Sequence, residues 1–132
     1  MLMTYVALLH KATKKSASYG VIFPDFPGCV SSGKTVDEAL KNAREGIVFH
    51  MEGMLENGEP LPSPTPLEQI LSDPAYKDAT ACLIHLVPTT GKLQRVNISI
   101  DVALLAEIDH AAEMLGKNRS EFFSESARQM LI

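Results

Sequence analysis

A β-strand needs a neighbour, and the last third of this 132-residue chain offers only one strand. Residues 93–100 alternate, with Val96, Ile98 and Ile100 on one face and Arg95, Asn97 and Ser99 on the other. Two helices are predicted to follow. Asp101 caps the first, which carries Leu104, Leu105, Ile108, Ala111, Ala112 and Leu115 and closes at Gly116. Asn118-x-x-Glu121 opens the second, with Phe122, Phe123, Ala127, Met130 and Leu131 as its apolar positions. About 40 residues seldom bury enough surface to fold alone, and a lone strand has no ladder partner. A second copy supplies both, so this unit is expected to dimerise as a two-stranded antiparallel ribbon with four helices on its apolar face. Val96, Ile98 and Ile100 then form the dimer core.

The polar face of such a ribbon is narrow enough for the major groove of B-DNA. Arg suits guanine, Asn suits adenine and Ser suits either, so Arg95, Asn97 and Ser99 are the expected base contacts. The start of the second helix, at Asn118, Arg119 and Ser120, is expected to meet a phosphate through backbone N–H groups and the helix dipole, with Lys92 and Lys117 adding charge. The whole chain carries a net charge of −4, which argues against a uniformly basic nucleic-acid binder. Three of the acids in this region, Glu107, Asp109 and Glu113, fall on the intervening helix, and Lys92 with Arg95 and Lys117 with Arg119 sit in acid-free stretches.

Residues 1–88 read differently. Segments 5–9 and 19–23 form a predicted hairpin across a KKSASYG turn, PDFPGC breaks regularity, and 29–32 form a third short strand. Thr35-x-x-Glu38 is a capping-box start to a long helix ending at Asn57-Gly58, with Val36, Leu40, Ala43, Ile47, Met51 and Met54 as its apolar stripe. Gly46 and Gly53 weaken that helix and are expected on an exposed face. EPLPSPTP, four prolines in eight residues, makes an extended connector, a short helix over 67–71 follows, and 79–87 make a further strand. The class is α+β, a β-β-β-α-β domain over 1–88 joined through PTTG to a second domain over 89–132.

These residues carry a resemblance. RVNIS, the Asp-rooted helix and the G-x-x-R-S turn resemble a ribbon-helix-helix DNA-binding domain across 93–132. PDFPGC, the Gly33-Lys34-Thr35 step and the DEAL helix start are similar to the HicB antitoxin family, whose N-terminal domain resembles a reduced RNase H fold. The resemblance implies a type II antitoxin that binds and neutralises a HicA-like mRNA-cleaving toxin and represses its own operon at operator DNA. Asp25 and Phe26, in the PDFPGC loop, are the toxin contacts that it suggests. It also implies a homodimer through the C-terminal ribbon, with a tetramer through the N-terminal domains left open.

Enzymatic activity is not expected. Two-metal hydrolysis needs converging carboxylates, the first strand has none, and Asp25, Asp37 and Glu38 lie on a loop and a helix start. His10, His50, His85 and His110 have no metal-ligand spacing, so no metal or cofactor is expected. Cys29 and Cys82 form no CxxC pair and read as buried small residues. With no apolar run near the ~20 residues of a membrane span and no signal-peptide pattern at MLMTYVALLHK, the chain is expected in the cytoplasm. The competing reading is a ligand-sensing ribbon-helix-helix regulator without a toxin partner.

Overall fold

In a computed structural model, residues 3–11, 13–15, 17–87 and 90–131 are described. Ser16 of the expected turn, and Pro88 and Thr89 of the expected linker, lie outside them. The chain divides into two units, 1–91 and 92–132.

In the first unit, strands β1 (Met3–His10), β2 (Tyr19–Ile22), β3 (Val30–Gly33) and β4 (Thr80–Leu86) form one sheet in the order β3-β2-β1-β4. Every pairing is antiparallel, with Leu9 opposite Val21, Ala7 opposite Cys82 and Val21 opposite Ser31. Helix α1 (Val36–Glu56) covers one face, burying Ala39, Ala43, Ile47 and Met51 against Tyr5, Ala7, Leu9, Val21, Ile84 and Leu86. The short helix α2 (Leu67–Leu71) and a 3-10 turn at Pro74–Tyr76 lie on the other, where Ile70 meets Val6 and Leu8. Central β1 is therefore buried on both sides over Tyr5–Leu9, and its sequence shows an unbroken apolar run where a half-exposed strand would alternate.

The ends of α1 follow from local chemistry. Thr35 Oγ1 accepts the Glu38 N–H at 3.1 Å, while the Glu38 carboxylate accepts from Lys34 N–H, one residue earlier than a reciprocal capping box requires. At the other end Gly58 takes φ +72°, Glu59 N–H donates to Met54 C=O and Gly58 N–H to Leu55 C=O, the paired bonds of a Schellman stop. Beside the helix start, a Cβ on Gly33 would lie 2.4 Å from Ala39 N, so only glycine lets β3 pass there. Gly46 corrects the expectation of an exposed face: a Cβ on it would stand 3.0 Å from Ser31 Oγ, because α1 runs close over β3. Asn42 Nδ2 donates to Ser32 C=O and Ser31 Oγ to Asn42 C=O in the same crossing.

PDFPGC resolves into two consecutive turns. Phe26 N–H donates to Phe23 C=O and Cys29 N–H to Phe26 C=O, each at 3.0 Å. Pro24 and Pro27 occupy the second position of each turn, where a fixed φ is an advantage, and Gly28 at φ +87° takes the third position of the second.

The second unit contains α3 (Val102–Met114) and α4 (Arg119–Leu131), preceded by an extended segment over 93–100. That segment joins no ladder within the chain, unlike the expected strand, since a single copy offers it no neighbour. Among the described residues, no helix is long and apolar enough to cross a membrane.

Candidate functional site

The extended segment presents the alternation read from sequence. Arg95, Asn97 and Ser99 are all exposed. So are Val96, at 75%, and Ile98, at 63%, while Ile100 is half-buried. An apolar row this open to water has no covering surface inside its own copy. The helices behind it repeat the point: Ala112 is the one buried residue among those described in the second unit, and Leu104, Met114, Leu115, Met130 and Leu131 are exposed.

Asp101 fixes the change of direction into α3, its carboxylate accepting the N–H groups of Ala103 at 2.9 Å and Leu104 at 3.1 Å. Helix α3 ends on another Schellman stop, with Gly116 at φ +68°, Gly116 N–H on Glu113 C=O and Lys117 N–H on Ala112 C=O. Two residues later the capping box forms in full: Glu121 N–H donates to Asn118 Oδ1 and Asn118 N–H to Glu121 Oε2, both at 2.9 Å. The Gly116 stop and the Asn118-x-x-Glu121 cap read from sequence thus each correspond to hydrogen bonds.

The cations expected at phosphates are already engaged. Arg119 grips Asp109 bidentately, Nε to Oδ1 at 2.9 Å and Nη2 to Oδ2 at 2.7 Å, tying the start of α4 to α3. The Arg119 hydrogen bonds, with its charge, hold the Asp109 carboxyl below the usual carboxylate range and raise the guanidinium in turn. Lys117 is ion-paired with Glu125. Asn118 spends its side chain on the cap. Ser120 and Lys92 are exposed, Lys92 at the head of the extended segment. Ion pairs this exposed to water are weak, so a phosphate can compete for either cation.

In the first unit, Phe26 is not a surface contact. It is buried at 1% exposure, edge-on to Tyr5 at 4.7 Å and to His50 at 5.8 Å, because the first turn of PDFPGC points it under α1. Asp25 is half-buried and holds the proline-rich connector: Oδ2 accepts Thr65 N–H at 3.0 Å and Oδ1 accepts Thr65 Oγ1–H at 2.5 Å. Tyr5 Oη donates to Pro62 C=O at 2.6 Å from the same side. Burial, helped by the Asp25 charge, raises the Tyr5 hydroxyl, and burial raises the Cys29 thiol. Sequence reading missed this strap, since Asp25 and Thr65 are 40 positions apart and neither carries a local signal. Among the described residues, no group of three His, Cys, Asp or Glu side chains could hold a metal ion.

Comparison with known proteins gives three kinds of likeness. Residues 5–127 match the family model described as HicB-like antitoxin of bacterial toxin-antitoxin system. An uncharacterized 14.9 kDa protein from the rep-hol intergenic region of Haemophilus phage HP1 is 43% identical, over 90% of this chain and 92% of its own. The crystal structure of the Burkholderia pseudomallei antitoxin HicB superposes with a TM-score of 0.61 at 35% identity, covering 95% of this chain and 96% of that one. A chain of a HicA3–HicB3 toxin-antitoxin complex, 31% identical, matches 63% of this chain and 94% of its own at a TM-score of 0.50.

Proposed function

This chain belongs to the HicB-like antitoxins of bacterial toxin-antitoxin systems, and from that membership we propose that it neutralises a HicA-like mRNA-cleaving toxin through residues 1–88 and represses its own operon through residues 89–132. The solved HicA3–HicB3 complex supports the first half by analogy. In this reading the first unit is a reduced RNase H-like domain without catalysis. The second is a ribbon-helix-helix in which 93–100 pair with the same segment of a second copy.

One observation carries the second half: Val96 and Ile98 stand in water on an unpaired extended segment, in a unit with one buried residue among those described. Antiparallel pairing would satisfy both the backbone groups and the apolar face, and would leave Arg95, Asn97 and Ser99 of each copy directed at a duplex. Ser120 and the Arg119 and Ser120 N–H groups, which the Asn118–Glu121 capping box leaves open, would then take a phosphate. Lys92, Lys117 and Arg119 would add charge, the latter two by exchanging their carboxylate partners for it.

The test is operator binding by the full chain and by Arg95→Ala and Asn97→Ala variants, measured by fluorescence anisotropy on its own promoter, beside toxin neutralisation in growing cells. Each substitution is expected to cost ~1–3 kcal/mol of discrimination, with neutralisation unchanged and binding falling steeply with salt. A folded variant that loses both activities, or neither, overturns the division of labour.

A further inference from the structure

Helix α1 has a second face. Glu45, Phe49, Glu52 and Glu56 recur at helical spacing on the side away from the sheet, opposite buried Ala43, Ile47 and Met51, and all four are exposed. Phe49 is 79% exposed, and every other aromatic side chain among the described residues is buried or half-buried. Among the described residues, no side-chain hydrogen bond or ion pair engages Glu45, Glu52 or Glu56. One turn beyond Phe49 stands Gly53, and a Cβ there would meet nothing within 4 Å. A mid-helix glycine weakens a helix, and nothing in this chain's own packing requires it, in contrast to Gly46 over β3 or Gly33 beside the helix start. The result is a notch beside an unburied aromatic ring, flanked by unpaired carboxylates.

Resting on the antitoxin reading above, we propose that this face of α1 is the docking surface for the toxin, engaged as a stand-in for RNA. An enzyme that cleaves RNA must present a basic groove to phosphates and a place for an unstacked base. Carboxylates at 45, 52 and 56 fall ~10 and ~6 Å apart along the helix axis, and Phe49 projects among them as a base would among phosphates. The Gly53 notch lets the partner's backbone or side chains close on the ring. A second copy of this chain fits the face poorly, because symmetric pairing about Phe49 brings glutamates against glutamates. Nucleic acid is repelled by the same charges. A basic protein surface with an apolar recess is the complement.

The experiment is calorimetric titration of the full chain with a catalytically disabled copy of the HicA-like protein encoded in the same operon, comparing parent, Phe49→Ala, Glu52→Lys and Gly53→Ala, with thermal melts and operator binding alongside. Phe49→Ala is expected to weaken the complex ~30-fold or more, as truncation of an interface anchor does. Glu52→Lys weakens it and flattens its salt dependence. Gly53→Ala raises the melting temperature yet weakens the complex, opposite signs that a merely structural glycine would not produce. All three keep operator binding. If the parent binds and all three variants bind within about twofold of it, the α1 surface is not the docking face although the antitoxin reading stands. If the parent itself does not bind the toxin, both fail together.

Discussion

Replacing Ile98 by Asn puts a polar amide where the proposed ribbon needs an apolar side chain, and the size of the effect follows from exposure. Ile98 is 63% exposed in the single chain. Full burial of an isoleucine relative to water is worth about 1.5–3 kcal/mol, so pairing gains roughly 1–2 kcal/mol per copy at this position. Symmetry doubles that in a dimer, and two amides buried without partners each add a cost of about 1–2 kcal/mol. The dimer should loosen by about 4–8 kcal/mol, which is at least a thousandfold in dissociation constant. Sedimentation equilibrium reads the assembly, anisotropy on the promoter reads DNA binding, and both should fail together in Ile98→Asn. Arg95→Ala, whose side chain sits on the other face of the same segment, should bind the promoter more weakly and with less discrimination, and remain dimeric. The reasoning is refuted if Ile98→Asn stays as dimeric as the parent and binds the promoter equally well, for the core of the second unit would then lie elsewhere.

Gly33→Ala drives a methyl group to 2.4 Å from the Ala39 nitrogen, a backbone atom that cannot rotate away. The expected loss is about 2–3 kcal/mol, a fall of roughly 10–20 °C in melting temperature by calorimetry. Tyr5→Phe removes the donor to Pro62 C=O while keeping the ring against Phe26, so about 1 kcal/mol should disappear in a urea titration with little change in slope. A thiol reagent at mildly alkaline pH should modify half-buried Cys82 quickly and Cys29 only as fast as the unit opens, because burial both shields the Cys29 thiol and keeps it protonated; in Cys82→Ser the fast phase should vanish. Asp109 is held below the ordinary carboxylate range, so its link to Arg119 supports the second unit above the unfolded pKa of about 3.9 and is lost as pH falls through the lower folded value. Asp109→Asn should melt slightly lower than the parent at neutral pH, with the two melting curves converging in acid.

Elements whose causes are local were legible in the sequence. Thr35, Asp101 and Asn118 each accept the N–H bonds expected of a cap, and Gly58 and Gly116 each close a helix with positive φ. The turn chemistry of PDFPGC was legible as well, but not where its side chains go. Asp25 and Phe26, adjacent on one loop, point to the proline strap and to the core respectively, and their partners Thr65, Tyr5 and His50 lie far away in sequence. The pairing of Arg119 with Asp109 escaped for the same reason: a contact across a helix-helix turn has no periodicity to announce it. Gly46 and Gly53 look alike in sequence and differ only in whether another strand passes over them.

The two units stand on different energetic footings, and the proposed functions use that difference. The first unit closes its own core, with the sheet sandwiched between α1 and the α2 region, so in the proposed reading the surface it offers a toxin needs no second copy to fold. The second buries one residue among those described, so in the proposed reading its folding would be coupled to assembly, and its occupancy of DNA would rise with the square of the protein concentration at the low end. In this reading toxin and DNA are assigned to different residues, so a toxin that changes how many second units meet would alter repression by mass action. Coupling between neutralisation and repression would thus run through stoichiometry and linkage, with no rearrangement of either fold required.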